Sequence, residues 1–532
     1  MRILIIICML LHAGLTSCRE KTETVLPVFR DRSINISNAF SDLFLDSLQL
    51  EVFIKETNLD EAGASNMREF YNNRNFQFAW FTEDGLAEQA AAFWNLHISF
   101  TRYSGDSSLV DKQLHQQMQL LMDESDAKLS AEVLTKTELQ LTRHFFEYAA
   151  HAFEGKVDPK ELQWHIPRKK VDALKLLDTL IATKGRNLDA WVPLNVNYHR
   201  LKEQLLVYYD LQKNHAELII HTGDKKVLRK GDSAAAILQV KQILFSFGDL
   251  KTNDQHPFFD AELEIAVKHA QNRFGLLADG VIGPATLKEL NVPMKNRIEQ
   301  ILINLERMRW MPKEPEGDRL IVNIPDYKLH VFEKGEKVFD MNVVVGTAAN
   351  RTVVFNDELK YVVFSPYWNI PNSIIRKEIM PAMQKNPGYL SQNNMEQTGT
   401  SNGIPQIRQK PGPGNALGKV KFIFPNSYAI YFHDTPAKSL FSREQRAYSH
   451  GCIRLEAPTK LAAYLLRNDP SFTDAKIDAL MNAGSEKWVT LKEPVPVIIS
   501  YFTAWVDSKG VLHFRDDIYG HDKRMAERLF TN

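Results

Sequence analysis

The spacing of hydrophobic residues separates helical stretches of the chain from a strand-rich one. Between residues 36 and 222, apolar residues recur at helical intervals, for example at Leu139, Phe146 and Ala149. Gly155 follows that series at a position typical of a helix end. We therefore predict a helical scaffold domain over residues 36–222.

Residues 223–293 contain more sequence signals of helix starts and ends than the region before them. Ile237, Val240 and Leu244 have helical spacing. Ser233 precedes them, and we predict that it is the N-cap of this helix.

Two further helices are predicted in the same stretch. One begins at Asp260 and ends at Gly275, and the other has Pro284 at its first position. The runs Leu228–Asp232 and Asp279–Thr286 resemble those of the small three-helix peptidoglycan-binding domain of cell-wall enzymes. That resemblance implies either glycan binding or a role as a rigid spacer.

A linking helix is predicted over residues 294–317. Ile298, Ile301 and Leu305 lie on one face of this helix, and Pro312 is the residue that ends it.

From residue 318 the pattern changes to the alternation of half-buried strands. Lys334-Gly335 is predicted to be a hairpin tip. The predicted strands are Leu320–Ile324, Leu329–Val331, Val338 with Met341–Val345, Tyr361–Phe364, Lys421–Phe424, Tyr428–Phe432 and Val495–Thr503. We predict a sheet domain over residues 318–505, followed by an extension over residues 506–532.

Residues 372–420 interrupt this strand pattern. A helix-like run from Ile374 to Gln384 is followed by sequence rich in Asn, Gly and Pro. Loops of this length inside a compact domain are usually lids or binding loops. We interpret the segment as a lid over the site, and a disordered surface excursion is the alternative.

The N-terminus has the pattern of an export signal over residues 1–18. Arg2 precedes an apolar run, Ile3–Leu11, which is shorter than the ~20 residues that a membrane-spanning helix needs. The small residues before Cys18 resemble the lipobox of bacterial lipoproteins. The resemblance implies acylation of Cys18, a membrane anchor in the bacterial periplasm and a polar tether over residues 19–35. An ordinary secretory signal with an incidental cysteine is the alternative.

Composition limits the classes of function. At 532 residues the length suggests about three to four domains. Lys plus Arg and Asp plus Glu number 65 each, so no basic excess indicates a nucleic-acid partner.

The cysteines indicate chemistry at one position. The chain has 3 cysteines, and Cys8 and Cys18 lie in the export segment, so only Cys452 remains in the body. Structural cysteines of exported proteins usually form pairs. A lone thiol therefore suggests a catalytic role, and a buried cysteine acting as a small hydrophobe is the alternative.

Two motifs supply a nucleophile and a base. Cys452 lies in the run Ser449–Arg454, and His433 lies in the run Tyr431–Pro436. A cysteine attacks as the thiolate, and a nearby imidazole can take its proton at neutral pH. This pair is typical of thiol acyl transfer.

His433 and the run Ser449–Cys452 match the signature of the L,D-transpeptidases. Four further runs resemble the long members of that family: Leu305–Arg307, Val345-Gly346, Tyr367–Pro371 and Tyr431–Pro436. The resemblance implies a multidomain α+β fold: a helical N-terminal scaffold, a small three-helix peptidoglycan-binding domain and a mixed β-sheet catalytic domain with an inserted lid. It implies no cofactor and no metal.

The same resemblance assigns roles in the reaction. Cys452 is the expected nucleophile and His433 the expected general base, while the backbone carbonyl of Asp434 accepts the other imidazole N–H. Glycine commonly follows the histidine in shorter members, so Asp434 is a departure. The Gly451 N–H is expected to stabilise the oxyanion, and His450 to orient that loop or line the oxyanion site.

Further residues are expected to bind the substrate. Arg454 is expected to pair with a stem-peptide carboxylate, and a structural ion pair is the alternative. The remaining expected substrate-binding residues are Tyr431, Trp368, Asn369 and Ser449. Tyr431 and Trp368 could equally be buried aromatic residues.

The implied reaction is a peptidoglycan 3-3 crosslink made through a cysteine thioester, with release of D-alanine from a tetrapeptide donor stem. The implied partners are stem peptides and glycan, with carbapenem-type lactams as covalent inhibitors. The alternatives are an L,D-carboxypeptidase that uses the same thioester and a non-catalytic peptidoglycan-binding lipoprotein.

Two other site chemistries are weaker interpretations. A zinc site would use His433, His450 and Cys452, but the sequence has no paired-cysteine or His-Glu-x-x-His motif to support it. A serine hydrolase would need a Gly-x-Ser-x-Gly elbow, and none precedes a predicted helix here.

Overall fold

The computed structural model describes residues 30–530 except residues 36, 124–128, 189–191, 215–218, 224 and 313–316. The predicted signal peptide and Cys18 lie outside the described residues. The chain divides into two compact units, one formed by residues up to 90 with 119–143, the other by residues 91–118 with 144 onwards. Among the described residues, no helix has both the length and the apolar character that crossing a membrane requires.

The first unit contains a buried carboxylate, that of Glu138. It accepts hydrogen bonds from the backbone N–H groups of Ala79 and Trp80 and from the Tyr71 hydroxyl. Buried polar groups need such partners, so this network joins distant segments of the unit. The elements that lie wholly in the unit are the helices Ser47–Glu56 and Glu61–Asn73 and the strands β1 (Phe81–Thr82) and β2 (Gly85–Leu86).

The N-terminal region is helical, which confirms the predicted fold class there. Helices Glu88–Ser104, Lys112–Asp123 and Ala131–Ala149 each include residues of both units. Ala131–Ala149 continues as a wide turn, Ala150–Glu154, that ends at Gly155. Helices Ala173–Ala182 and Val196–Asn214 follow.

The next helices are Ala236–Ser246, Ala261–Arg273 and Pro284–Leu290. The Asp260 side chain caps the second by accepting the N–H of Leu263. The prediction of Ser233 as an N-cap is wrong. Its hydroxyl instead donates to the carbonyl of Pro257, and the first helix starts after Ala235, which makes no side-chain cap bond.

Helix Met294–Trp310 is embedded in the protein. Every residue from Ile301 to Trp310 is buried, and the charged residues among them are paired: Arg309 with Glu306 and Arg307 with Asp522. Burial of charges is tolerable only with such partners. This helix ends at Trp310 with Met311 as its C-cap, directly before Pro312, the residue predicted to end it.

The core of the predicted sheet domain is a mixed sheet that closes on itself. Within the described residues its strands are β3 (Arg319–Asn323), β4 (Lys328–Glu333), β5 (Glu336–Gly346), β6 (Phe355–Phe364), β10 (Val420–Ile423), β11 (Phe432–His433), β12 (Ala447–Ser449), β13 (Ile453–Leu455) and β14 (Lys487–Ser500). The order is β12-β5-β13-β11-β10-β6-β14-β3-β4, and β4 also pairs with β5, which completes the closure. Parallel pairing of β11 with β13, β12 with β5 and β14 with β3 makes the sheet mixed.

Further elements surround this sheet. Helices Pro458–Leu466 and Asp474–Met481 follow β13, and the strands β15 (Ala504–Val506) and β16 (Leu512–Phe514) precede helix His521–Leu529. Tyr519 and Met525, within the predicted C-terminal extension, belong to the same hydrophobic core as β5 and β6. The extension therefore contributes directly to the core of the sheet domain.

The predicted strand over Tyr428–Phe432 is wrong for most of its length. Only Phe432 pairs within the sheet, together with His433. The Asn426 side chain bonds the backbone of Tyr428 and Ile430 instead, which bends the chain into a turn.

The inserted segment is folded, so its interpretation as a disordered excursion is wrong. Its three-stranded sheet has the order β7 (Trp368–Asn369), β9 (Ile404–Gln409), β8 (Met395–Ser401). Ile370, Ile375 and Ile407 belong to its own apolar cluster. The predicted helix over Ile374–Gln384 is divided into Asn372–Ile374, a wide turn Ile375–Ile379 and Met380–Lys385, and a separate short helix, Tyr389–Gln392, follows.

Candidate active site

The sheet register determines which candidate side chains share a face. In the parallel pairing of β11 with β13, Phe432 lies opposite Ile453 and His433 lies opposite Arg454. Opposed residues on neighbouring strands project to the same face. Phe432 and Ile453 point into the core, so His433 and Arg454 point to the other face. Cys452 immediately precedes β13, and by alternation with Ile453 it lies on the same face of the sheet as His433 and Arg454.

The tautomer of His433 is determined by its backbone neighbour. The ring Nδ1 lies 2.5 Å from the carbonyl oxygen of Asp434, and His433 is only 4% exposed. Because a carbonyl can only accept, Nδ1 must carry the hydrogen. In the neutral ring, Nε2 is therefore unprotonated and available as a base.

His433 is held in its neutral form. Burial and the positive charge of Arg454 lower the pKa of His433 to about 4, and the Asp434 carbonyl only partly opposes this effect. The imidazole is therefore a proton acceptor throughout the neutral pH range.

Cys452 is half-buried in the loop between β12 and β13, and it is a free thiol. The thiol lies 3.6 Å from the carbonyl oxygen of Ala429, in the turn that Asn426 organises. Burial raises the pKa of the Cys452 thiol above its ordinary value of 9.0, although hydrogen bonds from Tyr431 and the charge of Arg454 act in the opposite direction. The resting sulfur is therefore protonated at neutral pH.

Tyr431 contacts both members of this pair. The Cys452 sulfur lies close enough to the Tyr431 hydroxyl to raise its pKa, and the Tyr431 ring centroid lies 5.7 Å from that of His433. Burial and the neighbouring sulfur raise the pKa of Tyr431 far above its ordinary value of 10.0, so the phenol stays protonated. Tyr431 is therefore a packed aromatic residue that also lies beside the Cys452 thiol.

The loop that holds Cys452 is tied down by two hydroxyl groups. Ser449 Oγ donates to the carbonyl of Cys452 and accepts the N–H of Gly451 at 3.1 Å. Thr352 Oγ1 donates to the Gly451 carbonyl and accepts the Gly346 N–H. The oxyanion role predicted for the Gly451 N–H would require its bond to Ser449 to break, whereas the Cys452 N–H donates to no atom of the described chain.

The backbone is packed too closely around Gly346, the last residue of β5, for any side chain to fit there. A Cβ on Gly346 would lie 2.1 Å from the backbone oxygen of Asn350, which is far inside van der Waals contact. Its carbonyl accepts the hydroxyl of Tyr519 at 2.7 Å. Sequence reasoning identified Gly346 from the Val345-Gly346 run but missed Thr352 and Tyr519, for which no local motif gave a signal.

Arg454 and His450 have different surroundings. The buried Nε of Arg454 has no hydrogen-bond partner, and its guanidinium makes no ion pair in the described part of the chain. The His450 ring is 60% exposed, and its Nε2 lies 3.8 Å from a Glu378 carboxylate oxygen in the insertion. The His450 ring therefore lies near the inserted segment, whereas Arg454 does not take part in that contact.

Trp368 and Asn369 form β7, the first strand of the insertion sheet. Trp368 is half-buried against the apolar cluster of the insertion, and Asn369 is exposed. The two residues are therefore placed by the insertion and not by the main sheet.

The described residues contain no group of three or more His, Cys, Asp or Glu side chains that could hold a metal ion. His433 has its Nδ1 bonded to a carbonyl and His450 points to Glu378, so the zinc interpretation has no converging ligands among them.

Comparison with known proteins agrees with this geometry. Residues 317–497 match the L,D-transpeptidase catalytic domain (YkuD) family. Residues 65–205 match a scaffold domain family, and residues 233–290 match a putative peptidoglycan binding domain family. Residues 317–497 are therefore similar to the L,D-transpeptidase catalytic domain, and the flanking matches have the domain order expected of the long members. The finer domain boundaries given above stay predictions.

One similar curated protein is a putative L,D-transpeptidase of Haemophilus influenzae, which is 32% identical over 256 residues. The match covers 45% of this chain and 50% of that protein, so this chain spans about half the length of the curated relative that it matches.

Similar solved structures include the L,D-transpeptidase of Xylanimonas cellulosilytica, at 14% identity and a TM-score of 0.17, covering 53% of this chain and 100% of that one. Another is the L,D-transpeptidase of Mycobacterium smegmatis, at 15% identity and a TM-score of 0.20, covering 34% of this chain and 58% of that one.

The two pKa shifts predict how Cys452 of the transpeptidase domain reacts with a small alkylating agent. We expect the rate of iodoacetamide modification, measured by mass spectrometry of the Cys452 peptide, to rise about tenfold per pH unit between pH 6 and pH 9. The urea-unfolded chain, with an ordinary cysteine, is the control and should react faster at pH 8. A rate plateau between pH 5 and pH 8 would instead reveal a thiolate paired with protonated His433.

Thr352→Val should destabilise the transpeptidase domain, because it leaves the buried Gly346 N–H and Gly451 carbonyl without a partner. We expect a loss of about 2 kcal/mol in the free energy of unfolding, measured by urea denaturation. Thr352→Ser should retain most of the stability. Thr398→Val, at an exposed threonine of β8, is the matched control, and an equal loss there would contradict the assignment.

Proposed function

We propose that this protein is a cysteine-dependent L,D-transpeptidase that forms 3-3 crosslinks in peptidoglycan. The observation that carries the proposal is the buried, neutral His433, whose Nδ1–H is committed to the Asp434 carbonyl while it shares a face with the residues around Cys452. In such a ring the unprotonated Nε2 can accept a proton, as a general base must. The match of residues 317–497 supports the same class of reaction.

The first step starts from an uncharged pair. Cys452 is a thiol and His433 a neutral imidazole at neutral pH, so the proton passes from Sγ to Nε2 as the sulfur attacks. The electrophile is the carbonyl of the third residue of a tetrapeptide stem. A bond forms between sulfur and that carbon, and the carbonyl electron pair moves onto oxygen.

The Cys452 N–H is the donor that supports oxyanion stabilisation, since it has no other acceptor in the described residues. When the intermediate collapses, the bond to the terminal D-alanine breaks. The leaving amine takes the proton from His433, and a thioester remains on Cys452.

The second step transfers the acyl group. The side-chain amine of a diamino acid on another stem attacks the thioester and gives its proton to His433. The new amide forms as the carbon–sulfur bond breaks, and the proton returns to the sulfur. The energy of the original amide is conserved in the thioester, so no nucleotide is needed.

Arg454 is the proposed contact for a stem carboxylate. Its buried Nε without a partner supports this role over a structural ion pair, because an orphaned donor is costly until a ligand accepts from it. A guanidinium binds a carboxylate with two parallel hydrogen bonds.

The cell-wall setting is also part of the proposal. Residues 233–290 match a putative peptidoglycan binding domain, which supports peptidoglycan as the partner. Lipidation of Cys18 would anchor the protein to a membrane on its periplasmic side. The protein would then be in the same compartment as peptidoglycan.

A carbapenem tests whether Cys452 is acylated, since its strained lactam offers the same kind of carbonyl as the donor stem. We expect intact-mass spectrometry to show one covalent adduct on the wild type and none on Cys452→Ala. His433→Gln should slow adduct formation by about 10²-fold or more, because the general base is lost. An unmodified wild type that still binds sacculi would support the non-catalytic lipoprotein instead.

Purified tetrapeptide stems distinguish the transferase from the carboxypeptidase. We expect a crosslinked dimer together with free D-alanine, both absent with Cys452→Ala. Trimmed tripeptide without dimer would mean that water resolves the thioester, and the transferase assignment would be wrong.

A further inference from the structure

The Asp434 side chain, next to the proposed base, is itself held in place from two directions. One carboxylate oxygen lies 2.8 Å from the Lys438 ammonium, and the other accepts the backbone N–H of Lys419 at 2.9 Å. The carboxylate is almost completely buried. Its two oxygens thus have separate partners on separate segments.

The chain leaves room for this carboxylate by having glycine at position 418. Gly418 has φ of +62°, and a Cβ there would lie 2.3 Å from a carboxylate oxygen of Asp434. No other residue would fit without displacing that side chain. Gly418 and Lys419 form the return from the insertion into β10, so the contact joins Asp434 to that return.

Lys438 connects the same turn to a third segment. Its ammonium also donates to the carbonyl of Glu456, which follows β13. The ion pair spans Asp434 to Lys438 and closes the turn containing the carbonyl that receives the His433 Nδ1–H. The Asp434 N–H is fixed as well, because it donates to the Val420 carbonyl.

We propose that Asp434 is a positioning residue whose carboxylate, held by Lys438 and by the Lys419 amide, fixes the backbone carbonyl that sets the tautomer of His433. Without its carboxylate, Asp434 would be held by the bond from its N–H to the Val420 carbonyl, and the two carboxylate contacts restrict the position of its own carbonyl further. A displacement of about 1 Å in such a group can slow a reaction by about 10²-fold. This inference rests on the proposed function, in which His433 is the base.

Asp434→Gly is the decisive variant, because it removes the carboxylate and keeps the backbone carbonyl. We expect the rate of acylation by imipenem to fall by about 10- to 100-fold while the affinity of the preceding complex stays the same. Nitrogen NMR of ¹⁵N-histidine-labelled protein should show His433 shifting from a pure Nδ1–H tautomer to a mixture. Asp434→Asn, which can still accept the Lys419 N–H, should recover part of the rate.

Lys438→Met provides a second, milder variant, since this lysine is half-exposed and its loss creates no buried gap. We expect a smaller change in the same direction for both the rate and the tautomer. Lys492→Met is the matched control, because Lys492 is an exposed lysine paired with Asp469 at 3.5 Å. It should match the wild type in both measurements.

The inference is overturned if Asp434→Gly is acylated at the wild-type rate, or if the rate falls while the His433 tautomer is unchanged. Failure of the proposed function gives a different result, namely no adduct on the wild type. In that case the NMR comparison still decides whether the carboxylate positions the ring.

Discussion

The hydrogen bond from His433 Nδ1 to the carbonyl of Asp434 is the contact on which the site depends. It selects the tautomer in which Nε2 is free, and it does so in a place where burial and Arg454 keep the ring uncharged. The short strand β11 makes this possible, because pairing with β10 and β13 fixes the backbone on both sides of His433. The additional pairing of β4 with β5 closes the sheet around these strands.

Because both members of the pair are uncharged at rest, the chemistry differs from that of a preformed ion pair. Burial raises the pKa of Cys452 and lowers that of His433, so a charge appears on either only as the reaction proceeds. Such a thiol is protected from adventitious modification at neutral pH, since the thiolate is the reactive form. The groups that hold the loop, Ser449 and Thr352, are uncharged as well and so do not promote ionisation before a substrate arrives.

Periodicity and motif together predicted much of this arrangement. The alternation of apolar and polar residues identified β3 to β6, because the side chains of a half-buried strand alternate between core and solvent. The two motifs identified His433 and Cys452, because each lies within a short characteristic run of residues. The turn at Asn426 was missed because an apolar run resembles a strand until a side chain competes for its backbone. Thr352 and Tyr519 were missed for another reason: each acts through a contact with Gly346 or Gly451 that only the folded sheet creates.

The bond from the Tyr519 hydroxyl to Gly346 has a consequence for the order of assembly. Tyr519 follows Cys452 in the sequence. During synthesis, which starts at the N-terminus, the Cys452 loop is therefore made before the tyrosine that supports it. Without Tyr519, the Gly346 carbonyl and the Thr352 N–H lack their hydrogen-bond partner, and the loop around Cys452 loses part of its support. The contacts that complete the Cys452 loop therefore form only after the C-terminal part of the chain has joined the sheet domain.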